Sequence, residues 1–445
     1  MLRRSTKIYD RIVNDHEEVA TTSVSVQSRA IPVRTTALIT LGVLSVLAWS
    51  ALSYSSILHG QWVFAIASDR RFEDLLEHFR DGAIVLHGGD LYALHPQLNN
   101  VTPPVVSLWY LPLRALGTHA AAFVMTTISL SSVAGVGAIA YRRVTQAPAV
   151  SSWVFGSVLF IPMAILGSSP LRSVLIEGQI RTVLLIAVVA DLTVMPRRSR
   201  GILTGIAGSL SIAPLAFLAL FWIRSEKAAV WRGLVSALVM SVIGLLAGLK
   251  ASVHFWGVLL PTGQQSSRMV TSNGVAHFDA TYNTSLIALQ TRASAGGGLP
   301  IHRWMVIVLL VATLPILWKV LNRLMAESLL MSSILVLAVW TLLFAPVSWE
   351  HYWVYALIGP FVATEAWNRC RPLSFGAIVV TAGCTVAGYT DIQENGGGFT
   401  HDVYLLFSHN LYCLVGLVFL VCASVGALRM VRSEPDALHS ITSAT

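Results

Sequence analysis

The chain has 445 residues, 55% of them hydrophobic and 12% charged, with a mean hydropathy of +0.67; this excludes a water-soluble multidomain protein, whose cores could not hold so many apolar side chains. The net charge of +8 does not point to nucleic acid, because Lys and Arg are scattered in short clusters between apolar runs, which is a membrane-topology pattern. Cys370, Cys384, Cys413 and Cys422 lack metal-ligand spacing, so neither disulfides nor a zinc site is expected.

Residues 1–35 are polar and basic and read as a disordered cytoplasmic tail. The apolar run TALITLGVLSVLAWSALSYSSIL that follows is longer than a signal-peptide core, so it reads as an uncleaved first span. Apolar runs near the ~20 residues that cross about 30 Å of hydrocarbon predict ten helices. They fall at 36–58, 119–141, 150–167, 178–195, 232–250, 303–322, 327–345, 351–367, 373–390 and 405–428. The fold class is an all-α polytopic membrane protein, with a membrane domain over 36–428 and a cytoplasmic tail over 429–445. The connections YRR, PRRSR, RSEKAAVWR, NRCR and RMVR place the cytoplasmic side.

Residues 201–223 carry basic residues at both ends and Pro214 in the middle. Two half-helices that enter and leave on the cytoplasmic side fit this pattern, with an ordinary proline-kinked span as the alternative. With the hairpin, the hydrophilic loops 59–118 and 251–302, the turn at 348–351 and residues 391–404 all lie on the outer face.

The stretch RRFEDLLEHFRDG, residues 70–82, holds seven charged side chains in thirteen positions. Leu75, Phe79, Ala83 and Leu86 recur at helical spacing, and Asp74, Glu77, His78 and Asp81 share another face. Gly88 and Gly89 end this amphipathic helix, which is expected at the membrane surface with its apolar side down. The bland reading of Glu73, Glu77, Arg80 and Asp81 is a solvated face.

Ionisable groups in or beside spans mark further candidates. SSPLRSVLIEGQIR, residues 168–181, carries Arg172, Glu177, Gln179 and Arg181, of which Arg172 and Glu177 can form a surface pair. The 251–302 loop combines aromatics, amides, His and Arg, including Asn283, Ser285 and Arg292, the composition of a sugar or phosphate site and equally of a long solvent loop. In APVSWEHYWVYALIGP, an interfacial aromatic belt accounts for Trp349, Tyr352 and Trp353 but not for Glu350 and His351. No HExxH, P-loop, GxSxG or dinucleotide fingerprint is present, and Asp74 with His78 at i, i+4 supplies too few ligands for a metal, so no cofactor is expected.

These pieces fall in a recognisable order. Asp74-Leu75 precedes Gly88 to Tyr92, then Pro103-Pro104 and Pro112, Glu177-Gly178-Gln179, a hairpin from Gly205 to Pro214, Asn283-x-Ser285-Leu286 followed by Arg292, and Ser348 to His351. This order, over about residues 70–365, resembles glycosyltransferase family 87, the polyprenyl-phosphate-mannose-dependent α-mannosyltransferases of actinobacterial envelopes, which have the GT-C fold. The chain departs from the family pattern at Thr102, where a Tyr is usual, at Arg181, where an Asn is usual, and at Ser211, where a Lys is usual.

The resemblance implies a transferase on the outer face of the plasma membrane that moves mannose, with inversion, from a polyprenyl-phosphate donor to an envelope glycolipid or lipoglycan. It implies Asp74 as the base that deprotonates the acceptor hydroxyl. His351, then Arg292 and Arg181, are the candidates that stabilise the departing phosphate. Glu350, Gln179 and Asn283 are expected at the sugar or acceptor, with His78 and Ser285 as further substrate contacts. Arabinofuranose in place of mannose is the variant within this class. A lipid or solute transporter is the competing class, disfavoured because only one broken segment is found, without a partner repeat.

Overall fold

The computed structural model describes residues 33–61, 64, 71–94, 102–259, 283–295, 303–390 and 410–430. The chain divides into Met1–Leu38, whose described part is the start of the first helix, and Ile39–Thr445, which carries the rest. Every regular element among the described residues is helical, and the one β-bridge is isolated. The expected tails and most of the 251–302 and 391–404 loops lie outside the described residues.

The helices are α1 Val33–His59, α2 Glu73–Leu86, α3 Pro104–Arg114, α4 Thr118–Thr145 and α5 Ala149–Gly167. There follow α6 Ser169–Glu177, α7 Arg181–Thr193, α8 Ile202–Leu210, α9 Leu218–Ile223 and α10 Lys227–Ala247. The last six are α11 Leu286–Ala295, α12 Arg303–Ala326, α13 Leu330–Phe344, α14 Gly359–Ala366, α15 Arg371–Thr390 and α16 Asn410–Met430.

Among the described residues, six helices are long and apolar enough to cross a membrane, against the ten expected. The other four fall short in different ways, and the one expected at 373–390 is continuous in α15, whose apolar stretch, Arg371–Ala387, is shorter than a span. The span expected at 178–195 is a helix of 13 residues starting at Arg181, about 20 Å long at 1.5 Å per residue and short of the hydrocarbon thickness. The span expected at 351–367 begins as a 3₁₀ helix, Glu350–Ile358, before α14. The span expected at 327–345 is the 15-residue α13.

The segment 201–223 is broken, as Pro214 predicts. Helix α8 stops at Ser211, whose backbone is extended, and the chain resumes as a 3₁₀ turn, Ala213–Phe217, before α9. Its two ends meet: Arg200 Nη1 lies 2.8 Å from Glu226 Oε1, and Arg224 Nη1 donates to Leu192 O at 2.9 Å. The segment therefore doubles back on itself, in the hairpin alternative rather than the single kinked span. Asp191 accepts from Gly201 N and Thr204 N at 2.9 Å, satisfying orphan donors at the start of α8 with a negative charge. Small residues let α8 lie directly on α10, since a Cβ on Gly205 would stand 2.1 Å from Gly233 O.

The helices order the chain's polar groups into two ends. One end gathers the basic connections: Arg232 donates to Arg197 O and Arg200 O, Arg143 to Ser328 O, Arg369 to Glu327 O and Arg323 to Met430 O. The other end gathers α2, α3, the α6–α7 junction and the turn before the 3₁₀ helix. α2 carries Glu73 and Asp74 in its first turn, favourable at a helix N-terminus. It buries Leu75 and Phe79 as the periodicity predicts. Two details differ from the surface-helix expectation: Leu86 is exposed, and Asp81, read as solvated, is fully buried. One side of α2 is covered by α3, packed so closely that a Cβ on Gly82 would stand 3.0 Å from Ser107 O, while Glu73, Arg80 and Leu86 stay exposed.

The Gly205→Ala substitution places its methyl against backbone that cannot yield. It should cost about 1–3 kcal/mol and lower the apparent Tm of the detergent-solubilised protein, whereas Ala219→Gly, a change in the other arm of the hairpin, should not reproduce the clash.

Candidate active site

The site forms where α2 meets the break between α6 and α7. Gly178 ends α6 in the left-handed region, φ +75, which a residue with a side chain enters only with strain. A Cβ there would also stand 2.9 Å from Leu75 Cβ. Absence of that atom lets α2 seat its first turn on the break, where Phe72 N donates to Ile176 O at 2.6 Å. Tyr110 of α3 closes the junction by donating to Gly178 O at 3.2 Å.

Asp74 projects from α2 and accepts a hydrogen bond from Gln179 Nε2. Burial pushes its carboxyl above the usual aspartate range, and the charge of Glu177 adds to this, while His351, His78 and the Gln179 bond pull the other way. Glu77, one turn on, is pushed up to about 8 by burial and by Asp74, Asp81 and Glu73, with Arg80 opposing. His78 is buried, stacks on Tyr110 with centroids 4.6 Å apart, and lies 3.6 Å from Asp81.

His351 stands at the start of the 3₁₀ helix. Its Nδ1 lies 2.8 Å from Glu177 Oε2, and its buried Nε2 has no hydrogen-bond partner. Arg181 opens α7, 7% exposed. Its Nη1 donates to Ser211 Oγ at 2.8 Å, its guanidinium lies 3.8 Å from the Tyr352 ring centroid, and its buried Nε is unpaired. Its close contacts among the described residues are thus neutral, an arrangement that leaves a buried positive charge in want of an anion. Tyr352 lies within the fields of Arg181, Asp74 and Glu177.

The other sequence candidates occupy the scaffold around this cluster. Glu350 Oε1 accepts from Ser169 Oγ and, at 2.8 Å, from Tyr412 Oη on α16. Asn283 is fully buried, and its Oδ1 accepts from Ser348 N at 3.0 Å and Ser285 N at 3.2 Å. Thr284 N donates to Ser348 O at 2.7 Å, and Ser285 Oγ to Pro346 O at 3.4 Å. Asn283 and Ser285 thereby clip their segment to the turn that carries Glu350 and His351. Arg172 is buried and donates to Ile165 O and Leu166 O, the carbonyls at the end of α5. Arg292 lies on α11, with its side chain outside the described residues.

Asp74, His78, Gln179, Arg181 and His351 thus share one locality. Sequence reasoning missed Tyr110, Ser169, Tyr352 and Tyr412 as contributors and did not pair Glu177 with His351. Glu177 drew notice as an ionisable group beside a span and through the EGQ motif, and nothing in the sequence singles out Tyr412.

A carboxylate held by an amide, a histidine held by a second carboxylate, and an unneutralised guanidinium form a constellation able to take a proton on one side and stabilise an anion on the other.

Comparison with known proteins gives the family. The model of glycosyltransferase family 87 matches residues 101–346, more than half of the chain. Gln179, Arg181, Asn283 and Ser285 fall inside that stretch, and Asp74, His78, Glu350 and His351 flank it. A protein of Mycolicibacterium smegmatis, named polyprenol-phosphate-mannose-dependent alpha-(1-2)-phosphatidylinositol mannoside mannosyltransferase, is 26% identical over 333 residues, 71% of each chain. A protein of the same name from Mycobacterium tuberculosis is 27% identical over 326 residues, 70% of this chain and 73% of its own. A second Mycobacterium tuberculosis protein, named for a phosphatidylinositol pentamannoside mannosyltransferase with the same donor, is 25% identical over 333 residues. No solved structure matches the chain.

Glu77 gives a stability prediction. With a folded pKa near 8 against about 4.3 when unfolded, the fold binds one proton more than the unfolded chain between those values. Stability contributed by the protonated form should decline as pH rises from about 4.3 to about 8 and then level off. Tm measured across this window should fall with pH in the wild type and fall less in Glu77→Gln; equal slopes would refute the assignment.

Proposed function

The chain belongs to glycosyltransferase family 87, and on that premise we propose that it transfers mannose from a polyprenyl phosphate to a glycolipid of the phosphatidylinositol mannoside class, the donor and acceptor named for its relatives. The observation that carries the proposal is that Asp74, a carboxylate with raised proton affinity, and Arg181, a buried cation with neutral contacts, both act on Tyr110 and Tyr352 and so lie around one locality. Transfer from a lipid phosphate needs both. One group must accept the proton of the attacking hydroxyl, and another must meet the charge left on phosphate.

In this mechanism the acceptor hydroxyl attacks the anomeric carbon from the face opposite the phosphate. The new glycosidic bond forms as the bond from the anomeric carbon to the phosphate oxygen breaks, which inverts the configuration. Asp74 takes the hydroxyl proton, and the polyprenyl phosphate leaves with the bonding pair. Gln179 orients the Asp74 carboxylate. Arg181 and the unpartnered Nε2 of His351 are positioned to meet the phosphate, with Glu177 holding the histidine ring. Glu350 and His78 are assigned to the sugar and acceptor, and Arg292 to the phosphate from its place in the family pattern. Asn283 and Ser285 act through the segment they pin.

The fold is read as GT-C, and the site is assigned to the extracytoplasmic face of the plasma membrane. The support is the gathering of basic connections at the opposite end, which the positive-inside rule assigns to the cytoplasm. Incubating the purified protein with polyprenyl-phosphate mannose or polyprenyl-phosphate arabinofuranose and a phosphatidylinositol mannoside tests the donor. Product from the mannose donor alone is expected, and product from the arabinose donor alone would replace that sugar assignment.

Asp74→Asn should reduce transfer by about 10²–10⁴-fold, the usual contribution of a general base, with an unchanged or slightly higher Tm because burial of the charge is relieved. Wild-type turnover in this variant would remove the base assignment. Because Asp74 works ionised and its carboxyl is pushed up, the acid limb of kcat/KM should lie above the ordinary aspartate value of about 3.9.

Arg181→Ala should lose about 10²–10³-fold in kcat, by analogy with removing one donor to a developing anion. Arg181→Lys, which keeps the charge but not the fork, should recover part of the loss. Equal rates in Arg181→Ala and the wild type would rule out the phosphate role.

A further inference from the structure

At the basic end, remote from the catalytic cluster, lies a cavity of about 430 Å³ lined by Arg143, Ile223, Arg224, Asn322, Met325 and Leu330, among others. Arg143 closes α4, Arg224 follows the outgoing arm of the hairpin, and the remaining walls come from the turn between α12 and α13.

Charge there is unbalanced. Arg200 has its carboxylate, Glu226, at 2.8 Å, but Arg224 has no carboxylate within ion-pair distance among the described residues and donates instead to Leu192 O. Arg143 Nε is 3.9 Å from Glu365 Oε1, too far for a hydrogen bond, so this buried Nε has no hydrogen-bond partner, and the other carboxylate oxygen, Oε2, accepts from Ser332 N and Oγ. Burial, with the charges of Arg200 and Arg143 acting against Glu226, holds the Arg224 guanidinium below its usual range. An anion between the two guanidinium groups would relieve both defects, and their planar forks suit phosphate oxygens.

The surroundings favour a lipid as the source. Ile223, Met325 and Leu330 give the cavity apolar walls. Trp222 beside it and Trp318 on α12 are 52% and 43% exposed, and Lys227 Nζ lies 5.9 Å from the Trp222 ring centroid. Exposed tryptophan next to Arg and Lys is the composition of a membrane interface, where headgroup and acyl chain diverge.

We propose that this cavity is a second binding site, which takes a phosphate group presented by the headgroup of an anionic phospholipid, between Arg143 and Arg224. The test is thermal unfolding of the full-length protein in detergent, with phosphatidylglycerol, phosphatidylcholine or inorganic phosphate added. Phosphatidylglycerol should raise the apparent Tm by several degrees more than phosphatidylcholine, with little effect of inorganic phosphate. The increment should vanish in Arg143→Gln/Arg224→Gln. It should also vanish in Ala326→Trp, which fills the cavity from an exposed position without removing charge, so a folding defect of the double variant does not decide the result. Equal shifts from the two lipids, or an increment that survives in Ala326→Trp, would overturn the proposal. A full shift from inorganic phosphate alone would overturn the lipid source and leave a free-phosphate site.

Discussion

Gly178 has φ near +75 and no side chain, and Leu75 stands where a Cβ would intrude. Two consequences follow from this contact. A helix that would otherwise run through the layer stops at Glu177 and restarts at Arg181, so that Glu177, Gln179 and Arg181 point from a break rather than around a cylinder. Helix α2 then sits on the break closely enough for Asp74 to reach Gln179. The broken backbone is buried, where Tyr110 and Phe72 supply hydrogen bonds to Gly178 and Ile176, the circumstance in which non-helical backbone is tolerated in apolar surroundings.

The electrostatics of the cluster follow from burying several like charges together. Asp74 and Glu77 are buried among like charges, Glu177 near the first and Asp81 and Glu73 near the second, so the proton affinities of these two rise and Glu77 is held largely protonated at neutral pH. Opposing this, His351 and His78 favour the ionised form of Asp74, and Arg181 adds a fixed cation nearby. Arg181 and Ser211, two of the positions that differ from the family pattern, touch each other at 2.8 Å.

Helix α2 was legible because period and charge pattern agreed, and the doubling back of 201–223 was legible because Pro214 lies between two basic ends. The boundary at Gly178 was legible as the start of a span, but the helix that precedes it, α6, and the pressing of α2 on the glycine were not, since neither leaves a mark in local sequence. The 3₁₀ course of Glu350–Ile358 was hidden for a similar reason: its apolar run satisfies the helical pattern, and only packing sets its tighter winding. Asp74, Gln179, Arg181 and His351 were found through motif order, but their mutual contacts, and those with Ser211, Tyr352 and Glu177, join residues far apart in the chain. Spacing carries no information about such pairs.

Asn283 joins two distant motifs by gripping the main-chain N–H of Ser348 with its side-chain oxygen. Because the grip is on backbone, it does not itself depend on the side chain at 348, whose size is limited instead by full burial, while residue 283 must keep an acceptor of the same reach. The two positions are therefore constrained differently, residue 283 by the reach of its acceptor and residue 348 by the space around it.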